Sequence, residues 1–147
     1  MLLAILALTV YIFPKEPLTH ASTSIQSPDG QAPQGTLSTA YQGLVISEVM
    51  SANSSAVPDN NGEFNDWVEV WNSSDHPIDM NGVGLSDRSD RVLFLFPRIT
   101  LPAGGRLVVF ASDTNSAEPT GTLHAKFKLS SAGETVYLFD PNAYVID

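Results

Sequence analysis

Beyond residue 44 the chain is broken into apolar pieces too short for helices. LVISEVMS (44–51), DWVEVWN (66–72), RVLFLF (91–96), RLVVFAS (106–112) and ETVYLFD (134–140) are rich in Val, Ile, Leu, Phe, Tyr and Trp. Between them stand SANSSAVPDNNG, NSSDHP, MNGVG, LPAGG and DPN, which carry the Gly, Pro, Asn, Asp and Ser that turns require. No stretch after residue 44 holds an amphipathic helical period over three turns. Short strands at such spacing predict an all-β domain, a sandwich or a barrel. In DWVEVWN the two-residue period sets Val68 and Val70 on one face and Trp67, Glu69 and Trp71 on the other. The valine face is expected to be the core. The tryptophans then cover a sheet edge, lie under a loop, or stay exposed.

Two different textures come first. MLLAILALTVYIFP is an apolar run closed by Pro14, short of the roughly 20 residues that span a bilayer. It has the length of a signal-peptide core, with Thr19-His20-Ala21 as a small-residue cleavage site, although no positive charge precedes it. Residues 1–16 are therefore read as a signal peptide or membrane anchor. Residues 17–43 are rich in Ser, Thr, Pro and Gly with one charge, Asp29. Such a segment buries too little apolar surface to offset its ordering entropy, and is expected to be a flexible linker. The domain proper is expected to run from Leu44 to Asp147.

Charge narrows the partners. The net charge is −9, and between Leu44 and Asp87 stand Glu48, Asp59, Glu63, Asp66, Glu69, Asp75, Asp79 and Asp87 with no Lys or Arg. From Arg88 onward acids and bases cancel. An acidic surface repels phosphate backbones and anionic headgroups, so nucleic acid is not an expected partner, and a membrane is met only through the apolar N-terminal run. The absence of cysteine excludes disulfides, thiolate metal sites and cysteine nucleophiles.

VISEVM (45–50), GEFNDWVEVWNSSDHPIDMNGVGLSD (62–87), FPRITLPAGGRLVVFAS (96–112) and FKLSSAGETVYLFDPNAYVID (127–147), in that order, resemble a lamin tail domain of the bacterial type. The resemblance implies an immunoglobulin-like antiparallel β-sandwich acting as a non-catalytic module. It also implies an exported or surface protein, in which such a domain often accompanies nuclease, hydrolase or spore-coat H-type kinase domains. The last strand of the family normally continues past the segment matching Tyr144–Asp147, so the resemblance implies a C-terminal truncation.

Four candidate sites stand out. Asp59, Asn61, Glu63 and Asp66 in PDNNGEFND offer oxygen ligands at a spacing that partly matches a calcium loop. The same Asp, Asn and Gly also suit a tight turn. Glu48 and Glu69 lie mid-strand and face each other if their strands pair, as paired carboxylates do in glycosidases; solvent-facing roles are the plainer reading. Trp67, Glu69 and Trp71 form the candidate partner-binding face, acidic and aromatic, suited to a carbohydrate or a basic protein. Arg88, Arg91, Arg98 and Arg106 alternate with aspartates, which reads as a self-compensated loop rather than an anion site.

His20, His76 and His124 are too scattered for a zinc set, and no GxSxG anchors a hydrolase triad. Catalytic residues and cofactors are accordingly not expected; calcium is the one metal the loop chemistry suits. The expected function is a non-catalytic binding or spacer module of an exported, surface-tethered bacterial protein. Its expected partner is an envelope protein or a glycan, outside the cytoplasm. The alternative is an N-terminal accessory domain of a larger secreted enzyme.

Overall fold

Val68 and Val70 are fully buried, on the face that the alternation of DWVEVWN selects. A computed structural model describes residues 39–117 and 121–147, all within the unit Thr36–Asp147. The leader at 1–16, with its apolar run, and the linker as far as residue 38 lie outside the described residues. Among those described, no helix is long and apolar enough to cross a membrane.

The strands in chain order are β1 (Leu44–Met50), β2 (Asp66–Asn72), β3 (Ile78–Asp79), β4 (Gly84–Ser86), β5 (Phe94–Leu95), β6 (Thr100–Leu101), β7 (Arg106–Ala111), β8 (Leu123–Ala125) and β9 (Tyr137–Phe139). The helical content among the described residues is a single 3-10 turn, Thr39–Tyr41. One sheet has the order β1-β2-β7-β8, a second the order β5-β4-β9, and β3 pairs with β6 as a ribbon.

One core joins them. Leu44, Val68, Val70 and Val109 from the larger sheet pack with Leu85, Phe94 and Leu138 from the smaller one and with Ile78 and Leu101 from the ribbon. Two sheets closed over a shared apolar interior define a sandwich. Phe94 and Phe96 meet edge to face, ring centroids 5.1 Å apart, a preferred aromatic geometry.

Two expectations change. The sandwich is not purely antiparallel: β7 and β8 run parallel, Val109 opposite Leu123 and Ala111 opposite Ala125. The chain passes through Ser116, which bridges to His124 on the other side of β8, before β8 itself begins. That excursion lets β8 return in the same direction as β7, as a two-residue hairpin would not. RVLFLF, expected as a strand throughout, pairs only at Phe94–Leu95. Pro97 follows with no N–H to extend the ladder.

Residues 39–43, counted with the linker on composition, sit on the domain. Tyr41 packs against the core. The Gly43 carbonyl accepts from the Ser73 N–H at 2.7 Å and the Ser73 hydroxyl at 2.8 Å.

The NSSDHP turn and the LPAGG corner are bound together by Asn72, which is fully buried. Its Nδ2 donates to the carbonyls of His76 (2.8 Å), Leu101 (3.0 Å) and Pro102 (3.1 Å). Its Oδ1 accepts from the Ser74 N–H (3.0 Å) and hydroxyl (2.6 Å). At the other end of the chain, Asp147 Oδ2 accepts from the Ile46 N–H at 2.8 Å, joining the final residues to β1.

Candidate functional site

The pairing of β2 with β7 places Asp66 opposite Ala111. The loop entering β2 and the loop leaving β7 therefore meet at one end of the sandwich. Between them opens a cleft of about 390 Å³.

The first loop is fixed by two buried polar side chains. Asn53 donates through Nδ2 to the carbonyls of Val57 (2.8 Å) and Asn65 (2.9 Å), and its Oδ1 accepts from the Ala56 N–H (3.0 Å). Asp59 closes the tip: its Oδ1 accepts from the N–H groups of Asn61 (2.8 Å) and Glu63 (2.9 Å). Its backbone N–H reaches the Glu63 carbonyl at 2.9 Å, and Gly62, at φ +81°, makes the reversal. A carboxylate accepting such bonds is stabilised as the anion. The Asp59 carboxyl is accordingly held below its ordinary value, chiefly by the Glu63 N–H and against the opposing effect of burial.

The second loop brings four hydroxyls, Ser112, Thr114, Ser116 and Thr122, and β8 adds the His124 imidazole. Ser112 Oγ lies 2.7 Å from Thr114 Oγ1 and 2.8 Å from His124 Nδ1. The His124 ring stacks on Phe110, centroids 5.5 Å apart. Its Nε2 stands 3.8 Å from Asp59 Oδ2, with the Asp59 and His124 side chains 1% and 12% exposed. Backbone bonds between Ser116 and His124 in both directions hold this side of the cleft (2.8 and 2.9 Å).

Ser112, His124 and Asp59 thus form a line across the cleft that no sequence motif announced. It does not have the geometry of a hydrolytic relay. Nε2 is beyond hydrogen-bond distance of the carboxylate, whose other oxygen is engaged by backbone. The line joins two loops.

In the calcium candidates of PDNNGEFND, one oxygen of each aspartate is engaged by the loop itself. Oδ1 of Asp59 holds two backbone N–H groups, and Oδ1 of Asp66 accepts from the Asn53 N–H at 2.9 Å. Asp59, Asn61, Glu63 and Asp66 form a loop closed by its own carboxylates. Among the described residues no three Asp, Glu or His side chains come together as a metal site.

The partner-face candidates separate. Trp67 is buried at 5% exposure, opposite Met50 on one neighbouring strand and Phe110 on the other. Trp71 and Glu69 are half-buried. Arg106 lies over Trp71, Cζ 4.7 Å from the ring centroid, and pairs with Glu69 Oε1, which also accepts from the Ser47 hydroxyl at 2.6 Å. Glu48 and Glu69 do stand opposite each other in register, as the pairing of their strands allows. Glu69 is neutralised by Arg106 from the strand on its other side, which offsets the cross-strand repulsion. Glu48 is exposed, whereas the half-buried Glu69 is engaged by Arg106 and Ser47. His76 pairs with its neighbour Asp75 at 3.1 Å on the surface. Arg88 and Arg91 each lie beside the preceding aspartate, at 4.0 and 3.6 Å.

Two β-sheets around one core, with irregular loops gathered at an end, define an immunoglobulin-like module. The model of the lamin tail domain family matches residues 38–147. The chain belongs to that family, one of non-catalytic immunoglobulin-like domains. The match begins before Leu44, in accord with the seating of residues 39–43 on the domain. Comparison with curated proteins returns no relative.

Proposed function

We propose that this chain is a non-catalytic binding module of an exported, surface-tethered bacterial protein, and that it meets an envelope partner through the loop-end cleft. The observation that carries the reading is the cleft itself. Two loops, each fixed by buried hydrogen bonds, present a polar concavity on a rigid scaffold, which is where binding residues are placed in sandwich folds. The apolar leader and the Ser/Thr/Pro/Gly spacer support a tether that holds the domain away from a membrane.

Co-sedimentation of the full chain with isolated bacterial envelopes tests the proposal. Ser116→Arg, which puts a long cation into the cleft, is expected to reduce sedimentation strongly. Asn60→Arg, on the exposed loop tip, is expected to do the same without touching any buried bond. Both variants keep the leader, so a difference from the parent reports the cleft alone. Equal sedimentation of all three proteins would sink the reading.

A further inference from the structure

The chemistry lining the cleft selects among ligands. Asp59 and Glu63 contribute carboxylates, and no Lys or Arg among the described residues lines it. Phosphates, sulfates and acidic sugars are therefore repelled and find no guanidinium or ammonium partner. No aliphatic or large aromatic side chain among the described residues lines it either, so an acyl chain or apolar peptide anchor gains little by entering.

What remains is a ring of groups that donate and accept. Asn60, Asn61 and Asn65 supply amides; Ser112, Thr114, Ser116 and Thr122 supply hydroxyls. Asp59 adds a nearly fully buried carboxylate. Its Oδ1 carries two backbone bonds, whereas Oδ2 has only the 3.3 Å contact from Asn65 Nδ2 and His124 at 3.8 Å. A carboxylate has about four acceptor positions, so Oδ2 keeps capacity for a donor from the cleft. A hydroxyl matches the amides and hydroxyls of the lining as both donor and acceptor, whereas an ammonium group can only donate. The charge of Asp59 already faces three N–H donors and the imidazole, which leaves Glu63 as the single carboxylate unengaged through its side chain.

We infer that the cleft binds an uncharged polyhydroxylated ligand, a neutral saccharide unit, held by Asn60, Asn61, Thr114, Thr122 and the free edge of Asp59. The inference rests on the binding-module reading and names its ligand class. Vicinal hydroxyls donate and accept in alternation, as this lining does, and the volume of about 390 Å³ suits a ring or two rather than an extended chain. With no large aromatic platform, binding is millimolar and depends on hydrogen bonds.

The test is an amide NMR titration of the full chain with galactose, mannose and N-acetylglucosamine. N-acetylneuraminic acid serves as the anionic control and lysine methyl ester as the cationic one. At least one neutral sugar is expected to shift Asn60, Asn61, Thr114 and Thr122 saturably, and neither control to do so. Asn60→Arg should weaken the response by about tenfold or more, with the spectrum elsewhere unchanged; Ser116→Arg is the second variant. No cleft shift with any of the three sugars overturns the inference. So does a stronger response to lysine methyl ester, or sugar shifts confined to Trp71 and Arg106. If envelope binding still depends on the cleft, only the ligand class is wrong; if both fail, the binding-module reading fails too.

Discussion

Asp59 shows how one side chain decides what a loop can be. Its carboxylate replaces the missing backbone partners of Asn61 and Glu63, so it acts as a turn cap. Because its folded value lies below the ordinary 3.8, its contribution to stability is fully present above that pH and is lost as pH falls through the depressed value. Asp59→Asn is therefore expected to flatten the acid limb of the stability curve while leaving the curve near neutrality parallel to the parent; urea titrations between pH 2 and 7 check this. An unchanged acid limb would show that Asp59 is not linked to folding.

Trp67 makes the opposite point. Among the described residues its buried Nε1 has no hydrogen-bond partner, and such a group carries a desolvation cost of about 1–3 kcal/mol. Trp67→Phe is expected to cost less than a typical aromatic truncation in a core, with thermal unfolding as the measure. A loss as large as the roughly 3–5 kcal/mol of an aromatic-to-alanine change would mean that the indole N–H is engaged after all.

At the scale of elements, turns that look separate in sequence turn out to be one structure. NSSDHP and LPAGG share Asn72, whose amide holds carbonyls from both. Asn72→Ala should orphan several buried groups at once and cost about 2–5 kcal/mol, measured by denaturant unfolding; a loss under about 0.5 kcal/mol would show the two turns to be independently stable. Gly84 in β4 is required by proximity: a Cβ there would stand 2.6 Å from Val92 Cγ1. Gly84→Ala is expected to lower the melting temperature, and an unchanged value would mean that the Val92 side chain swings aside freely.

The strands themselves were legible to different degrees. The valines of β2 could be assigned to the core because period-two alternation fixes relative facing. It does not say whether the second face is covered, which is why Trp67 and Trp71 needed the structure. β8 is only three residues long, and nothing local encodes a parallel partner. The cleft was illegible for a similar reason: Asp59, Ser112 and His124 belong to different elements and meet only through the β2–β7 and β7–β8 pairings.

For the whole molecule, charge is the property most readable from sequence and least dependent on fold. Eight carboxylates named from Glu48 to Asp87 stand without a base among them, and the cleft lining continues that bias. Duplex DNA at low salt is expected to leave the electrophoretic mobility of the protein unchanged. A retarded band that vanishes on adding salt would reveal a basic surface that this charge distribution does not offer.

The bond from the Ile46 N–H to Asp147 has a mechanical meaning. Residues 145–147 bridge β9 and the beginning of β1, so the two sheets are fastened to each other along this edge. A pull that draws β9 away from β1 loads this contact before it loads β2 or β7. The bonds there would break in succession, as a zipper opens, instead of sharing the load in shear. Under such a pull the seam is expected to open first, with the cleft at the far end of β1 still closed.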